Sequence, residues 1–235
     1  MILPEFLDLK GYGHLFVSGV CMTLAVGVAA MAVALGLGIL GALAKLSPTR
    51  ALHRIGSAYT IIIRGIPELV LMLLIYYGGT SLLQDLIVLT GNDVRIDINA
   101  FFAGTLVLGF VYGAYATEIF RGAFLAIPKG QIDAAFAFGM TRAGVFFRIR
   151  LPQAWRFAIP GLGNLWLTLF KATSITSVIG LTELARRGAD IMLPTHKPFT
   201  TFFIVALIYL AITAVSDVFR HRMALRAAAG FRPAG

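Results

Sequence analysis

Five ionisable side chains interrupt otherwise apolar stretches of this sequence: Arg64, Glu68, Glu118, Arg121 and Lys171. A charge at the centre of a membrane helix costs about 2.5–3.5 kcal/mol on insertion scales, so such groups face protein or water. Arg64 and Glu68 are four residues apart and Glu118 and Arg121 three, so each pair can meet on one helical face. Two chemistries are open to them. Pairing neutralises the charges and clamps helices together. Lining a pathway or gate is the other use: Glu68 and Glu118 suit a cationic side chain, Arg64 and Lys171 a carboxylate. No catalytic or metal-ligating set is expected. There is no HExxH and no pair of catalytic carboxylates in one span, and His14, His53, His196 and His221 are scattered without ligand spacing.

A second group has a different character. Gln131–Pro152, QIDAAFAFGMTRAGVFFRIRLP, is basic and aromatic, lies between two apolar segments, and is too polar to cross a bilayer. Pro128 should end the preceding helix. Asp133 is expected in the first turn of a new short helix, where a negative charge suits the dipole. Ala134, Ala135 and Ala137 give that helix a slim surface able to enter a groove. Gly139 is placed to end it in a left-handed conformation, and Thr141 to cap the next turn. Val145 and Ile149 form an apolar face, Arg142 and Arg150 point elsewhere, and Pro152 stops the helix. Charge and amphipathicity alone leave two readings: a helix resting on anionic lipid, or a cytoplasmic docking loop for a separate motor.

Membrane-spanning elements must position both groups. The 235 residues are 58% hydrophobic and 13% charged, against about 25% charged in soluble domains, and mean hydropathy is +0.85. Five spans are expected, at about 15–44, 55–83, 98–127, 157–182 and 198–216, in one membrane domain covering 14–222. A segment 1–13 precedes it, a tail 223–235 follows, and a loop at 128–156 joins the third and fourth spans. Pro67 should kink or break the second span, and Pro160-Gly161-Leu162-Gly163-Asn164 should bend the fourth. Gly36, Gly38 and Gly41 match GxGxxG, but no strand precedes them and no acid follows, so they read as close helix packing; Gly109 and Gly113 read the same way.

Basic residues fix the expected orientation. The first loop (Lys45, Arg50, Arg54), the 128–156 loop and the tail are basic, while the N-terminus (Glu5, Asp8, Lys10) and second loop (Asp85, Asp93, Arg95, Asp97) are net acidic. That places the N-terminus outside and the C-terminus in the cytoplasm. The net charge of +9 then faces lipid and cytoplasm, and no nucleic-acid partner is expected. Cys21 is the only cysteine, so no intrachain disulfide forms. No GxxxxGK[ST] phosphate loop exists, and no room remains for a nucleotide-binding domain.

The order Asp133-Ala134-Ala135, three residues, Gly139, nine residues, Ile149-Arg150-Leu151-Pro152 resembles the EAA loop of ABC-importer permease subunits, with Asp133 where the family usually has Glu. Arg64-Gly65-Ile66-Pro67-Glu68-Leu69-Val70, Tyr115-Ala116-Thr117-Glu118-Ile119-Phe120-Arg121-Gly122, Pro128-Lys129-Gly130-Gln131 and Lys171-Ala172-Thr173-Ser174 resemble signatures of its polar amino-acid subfamily. Within that subfamily the chain is similar to the Q-type permeases of histidine and lysine/arginine/ornithine importers and to the opine permeases. The resemblance spans roughly residues 14–222.

The resemblance implies an all-α membrane protein of the type I importer permease fold. Five transmembrane helices would carry a cytoplasmic coupling helix between spans 3 and 4, with a periplasmic N-terminus and a cytoplasmic C-terminus, in a bacterial inner membrane. It implies a transport subunit without enzymatic activity, moving a polar, basic amino acid (histidine, arginine, lysine, ornithine) or an opine by alternating access. The implied partners are a cytoplasmic ABC ATPase dimer docking at Asp133, Ala134, Ala135, Gly139 and Arg142, a second homologous permease subunit, a periplasmic amino-acid-binding protein, the substrate and membrane lipid. No cofactor is expected on this chain; ATP and Mg belong to the ATPase. The alternatives are a permease of a glutamine/glutamate-type importer, or an ATPase-independent channel or ion-coupled carrier.

Overall fold

The run from Leu15 to Ala44 carries no charge. In lipid, such a segment must satisfy every backbone group internally, and it forms one helix, α1 (Gly13–Lys45). The structure, a computed structural model, describes residues 11–89 and 98–228. The acidic start, the second-loop residues Asp93, Arg95 and Asp97, and Arg232 of the tail lie outside the described residues. The 33 residues of α1 rise about 50 Å, more than the hydrocarbon core of about 30 Å, so the helix tilts or projects.

The chain continues as α2 (Arg50–Gly65), α3 (Glu68–Leu73), a π turn at Leu74–Gly78, α4 (Gly79–Leu89), α5 (Ala100–Leu125), α6 (Lys129–Ala137) and α7 (Arg142–Val145). A second π turn at Phe146–Arg150 leads into α8 (Leu151–Ala172), a 3-10 stretch at Thr173–Ile179, α9 (Leu184–Thr195) and α10 (Pro198–Ala228). No strand occurs among the described residues. Four segments are long and apolar enough to cross a membrane: Gly13–Lys45, Glu68–Leu89, Ala100–Leu125 and Pro198–Ala227. Arg142–Ile179 and Leu184–Thr195, bent by 52° at their junction, pass the same test only when taken together, as one broken span.

Three prolines act differently from one another. Ile66 is extended (φ −109°, ψ 136°) because Pro67 follows it, and the helix breaks completely. Of the kink or break expected in the span at 55–83, the break is what forms, and two elements result. The first, α2, buries Gly56, Thr60 and Ile63 and exposes Ile55, Ile61 and Ile62. Pro160, by contrast, does not interrupt α8, which continues through it. The carbonyl it leaves free belongs to Arg156, an exposed residue that other donors can reach. The bend comes later, where Gly180 takes φ +88° after the 3-10 stretch. Pro152 does not stop a helix either; it sits in the first turn of α8. Proline is tolerated there, and the preceding π turn absorbs the altered hydrogen-bond pattern.

The core is built on α5, which carries fifteen of its residues buried. Its partner is α1, whose buried positions are almost all small: Gly19, Thr23, Gly27, Ala30, Ala34, Gly38 and Ala42. Between helices in lipid, close van der Waals contact takes over from the hydrophobic effect, and small residues allow it. A β-carbon at Gly109 would lie 2.6 Å from Val33, and one at Gly38 would lie 2.5 Å from that of Ala116. Gly41 likewise abuts Thr117, and Gly113 abuts Leu37. Contacts advance together along both chains, so α1 and α5 run parallel.

Candidate functional site

The loop after α5 is ordered by caps. Pro128 (φ −59°, ψ 128°) starts α6 at Lys129. Asp133 therefore falls in the second turn, one turn later than expected, because the proline fixes the helix start early. Asp133, Ala134, Gly139 and Arg142 are exposed. Ala135 is 5% exposed and packs inward on its own chain. The slim outer surface is thus made by Ala134 and Ala137. Gly139 has φ +78°, and the amides of Gly139 and Met140 donate to Phe136 O (2.9 Å) and Ala135 O (3.1 Å). This closes the helix with a left-handed residue. Thr141 Oγ1 accepts from Gly144 N at 3.1 Å. Gln153 Nε2 donates to Gln131 Oε1 at 2.6 Å and ties α6 to the start of α8. A cleft of about 510 Å³ lies beside this bond, lined by Ala134, Met140 and Ile149 among others, with Phe138 at its rim and 90% exposed.

The intramembrane charges divide into two sets along α5. Tyr112, Tyr115, Glu118 and Arg121 recur every three residues, an oblique line of about 13.5 Å along the axis. At one end, Glu118 accepts from Lys45 Nζ of α1 and from Arg121 Nε at 2.8 Å. Lys45 also donates to Thr60 Oγ1 of α2 at 2.9 Å. One carboxylate thus joins three helices. At the other end, Arg64 and Glu68 do not pair with each other, because the Pro67 break lies between them and they no longer share a helical face. Arg64 stacks on the Tyr115 ring at 5.1 Å. Glu68 accepts from Tyr112 OH at 3.2 Å, and the two tyrosine rings are 5.8 Å apart. Lys171 is exposed in the last turn of α8.

Residues 34–228 match the family described as binding-protein-dependent transport system inner membrane component. The chain belongs to that family. It is 43% identical, over 209 residues, to the histidine/lysine/arginine/ornithine transport system permease protein HisQ of Salmonella typhimurium, covering 89% of this chain and 91% of that one. It is 41% identical to the octopine transport system permease protein OccQ of Rhizobium radiobacter, covering 89% of each. The solved structure of an amino acid ABC transporter with histidines superposes with a TM-score of 0.80 at 33% identity, covering 96% of this chain and 100% of that chain.

The protein is therefore an ABC permease subunit of the inner membrane with the type I importer fold. A separate ATPase hydrolyses ATP, and a binding protein works with the permease.

Three polar positions in this permease escaped sequence reasoning. Lys45 read as a residue of the first loop and Thr60 carried no signal inside the second span, and nothing local linked them to a carboxylate 73 positions from Lys45. Glu183 looked like part of a mixed-charge loop, yet it is fully buried. It caps α9 by accepting from Ala185 N (2.9 Å) and Arg186 N (2.8 Å), and it accepts from Tyr209 OH of α10 at 3.0 Å. Leu184 N donates to Thr23 Oγ1 of α1 at 3.1 Å. An acid directly before an amphipathic helical run is the one local signal that marks Glu183.

Proposed function

We propose that this permease moves a basic amino acid (histidine, arginine, lysine or ornithine) or an opine across the inner membrane by alternating access. The observation that carries the reading is Glu68. It sits at the Pro67 break, is held by Tyr112 alone, and has no ion-pair partner among the described residues. A carboxylate so placed can receive a cationic side chain, and Arg64 on Tyr115 offers a neighbouring site for the substrate's carboxylate. The transport systems named for the relatives carry the same classes of substrate.

In this reading the N-terminus is periplasmic and the C-terminus cytoplasmic. The single membrane domain 14–222 carries its coupling loop at 128–156, where an ABC ATPase dimer binds Asp133, Ala134, Gly139 and Arg142. Ala135 supports that helix from inside. ATP and Mg2+ sit on the ATPase. A second, homologous permease subunit completes the pathway, and a periplasmic amino-acid-binding protein delivers the substrate. Glu118 and Arg121, with Lys45, close or brace the cytoplasmic end, and Lys171 faces the pathway.

The experiment is uptake by the reconstituted importer with its matched binding protein. ATP-dependent accumulation of labelled arginine or histidine is expected. Uptake confined to glutamate or glutamine would refute the substrate, and uptake without the ATPase would refute the coupling.

A further inference from the structure

A groove of about 500 Å³ lies between α1, α8 and α10. Met31, Leu35, Trp155, Trp166, Phe219 and Met223 form its apolar walls. Its polar groups are Ser216 and Arg220. The stem of Arg220 crosses Gly163, where a β-carbon would overlap it, so the guanidinium is led to the groove by close approach of α8 and α10. Asp217 accepts from its Nε and Nη2, both at 2.7 Å. The remaining guanidinium donors have no partner among the described residues. Arg222 and Arg226 follow on the same helix, so residues 217–228 hold three arginines against one aspartate.

An apolar groove with a guanidinium beside it, in a chain that spans a membrane, matches an amphiphile with an anionic head. Trp155 and Trp166 are the chain's two tryptophans. Eleven residues of α8 separate them, about 16 Å, which is half of a hydrocarbon core of about 30 Å and so the depth of one leaflet. Indole rings favour the bilayer interface. A second copy of this chain packed on the same face by two-fold symmetry would instead bring the same arginines to the seam.

We propose that this groove binds an anionic phospholipid, with its phosphate on Arg220 and an acyl chain along the two tryptophans. The site rests on the membrane placement of the chain and is independent of which amino acid is carried. The test uses the assembled importer in nanodiscs and reads only the fluorescence lost in the W155F/W166F variant. Brominated phosphatidylglycerol should half-quench that signal at a mole fraction about fivefold lower than brominated phosphatidylcholine, as one arginine near an anionic headgroup provides. R220Q should erase the preference, and R220K, which keeps stem and charge, should retain it. D217N frees the guanidinium and should widen the gap. Equal quenching by both lipids in the unaltered protein overturns the proposal, since that is ordinary annular contact. No quenching by either also overturns it, because protein then covers the groove.

Discussion

The α1–α5 seam and the loop at 128–156 treat their polar groups in opposite ways. Along the seam they are used up inside the chain. Thr117 Oγ1 donates to Gly113 O at 2.9 Å, Tyr59 OH donates to Phe110 O at 2.5 Å, and Glu118 takes both Lys45 and Arg121. Glycines on α1 and α5 bring the two helices into contact. In the loop, Asp133, Gly139 and Arg142 stay exposed, and a nine-residue helix is held by caps and the Gln131–Gln153 bond. A helix that short is marginal without tertiary support. Thr105 Oγ1 apart, the seam satisfies its polar groups within the chain, while the loop leaves charged groups at its surface. If the loop docks the motor subunit as proposed, that contrast separates the rigid body from the joint.

The hardest test of the contrast is Gly109→Ile. The added side chain meets Val33 where a β-carbon alone would already be 2.6 Å away, and overpacking costs about 1–3 kcal/mol or more. Loss of folded permease from the membrane is expected, read by thermal melting of the purified complex. Unchanged melting would mean the seam is not the rigid body.

Gly139→Val should spare the fold and abolish function. Valine at φ +78° opposes a conformation that costs even ordinary residues about 1–2 kcal/mol. Insertion and melting should stay normal while ATPase co-purification and uptake fall to background, and Asp133→Lys should do the same. Retained co-purification in both variants would remove the loop from the coupling.

Glu118→Gln alters the seam at the end of α5 that leads into the loop. Losing the shared acceptor leaves Lys45 and Arg121 without their carboxylate, and uptake should fall about tenfold, the equivalent of about 1.4 kcal/mol, with a smaller loss of assembly. If uptake and assembly drop equally, the cluster is a clamp and nothing more.

The mildest change is Tyr112→Phe, which removes one donor to Glu68. A KM raised by up to about tenfold for a basic amino acid is expected, the scale of one hydrogen bond of typical net strength, with unchanged melting. An unaltered KM would take Glu68 out of the substrate path.

Much of this arrangement was legible in the residues because its causes are local. Proline before and glycine after fixed the coupling helix, Thr141 fixed the next cap, and the three-residue spacing of Glu118 and Arg121 put them in reach. Of Gly36, Gly38 and Gly41, the last two pack α1 against α5 together with Gly109 and Gly113, whereas Gly36 is exposed with open space around it. What escaped depends on distance or competition. Spacing put Arg64 and Glu68 on one face, but Pro67 between them removes the face. Lys45 reaches Glu118 only because two parallel helices are in register, which no local pattern encodes. Pro160 carries a strong local break signal, yet the helix runs on through it, and the chain breaks by 52° only where Gly180 turns left-handed.

The π turn at Phe146–Arg150 has a mechanical consequence. It is one residue of slack wound into a helix that links Arg142 of the loop to Pro160 at the start of the fourth span. Letting that residue out would screw one side of the rod against the other by about 100° and advance it by about 1.5 Å. A push on the loop can thus arrive in the membrane as a twist.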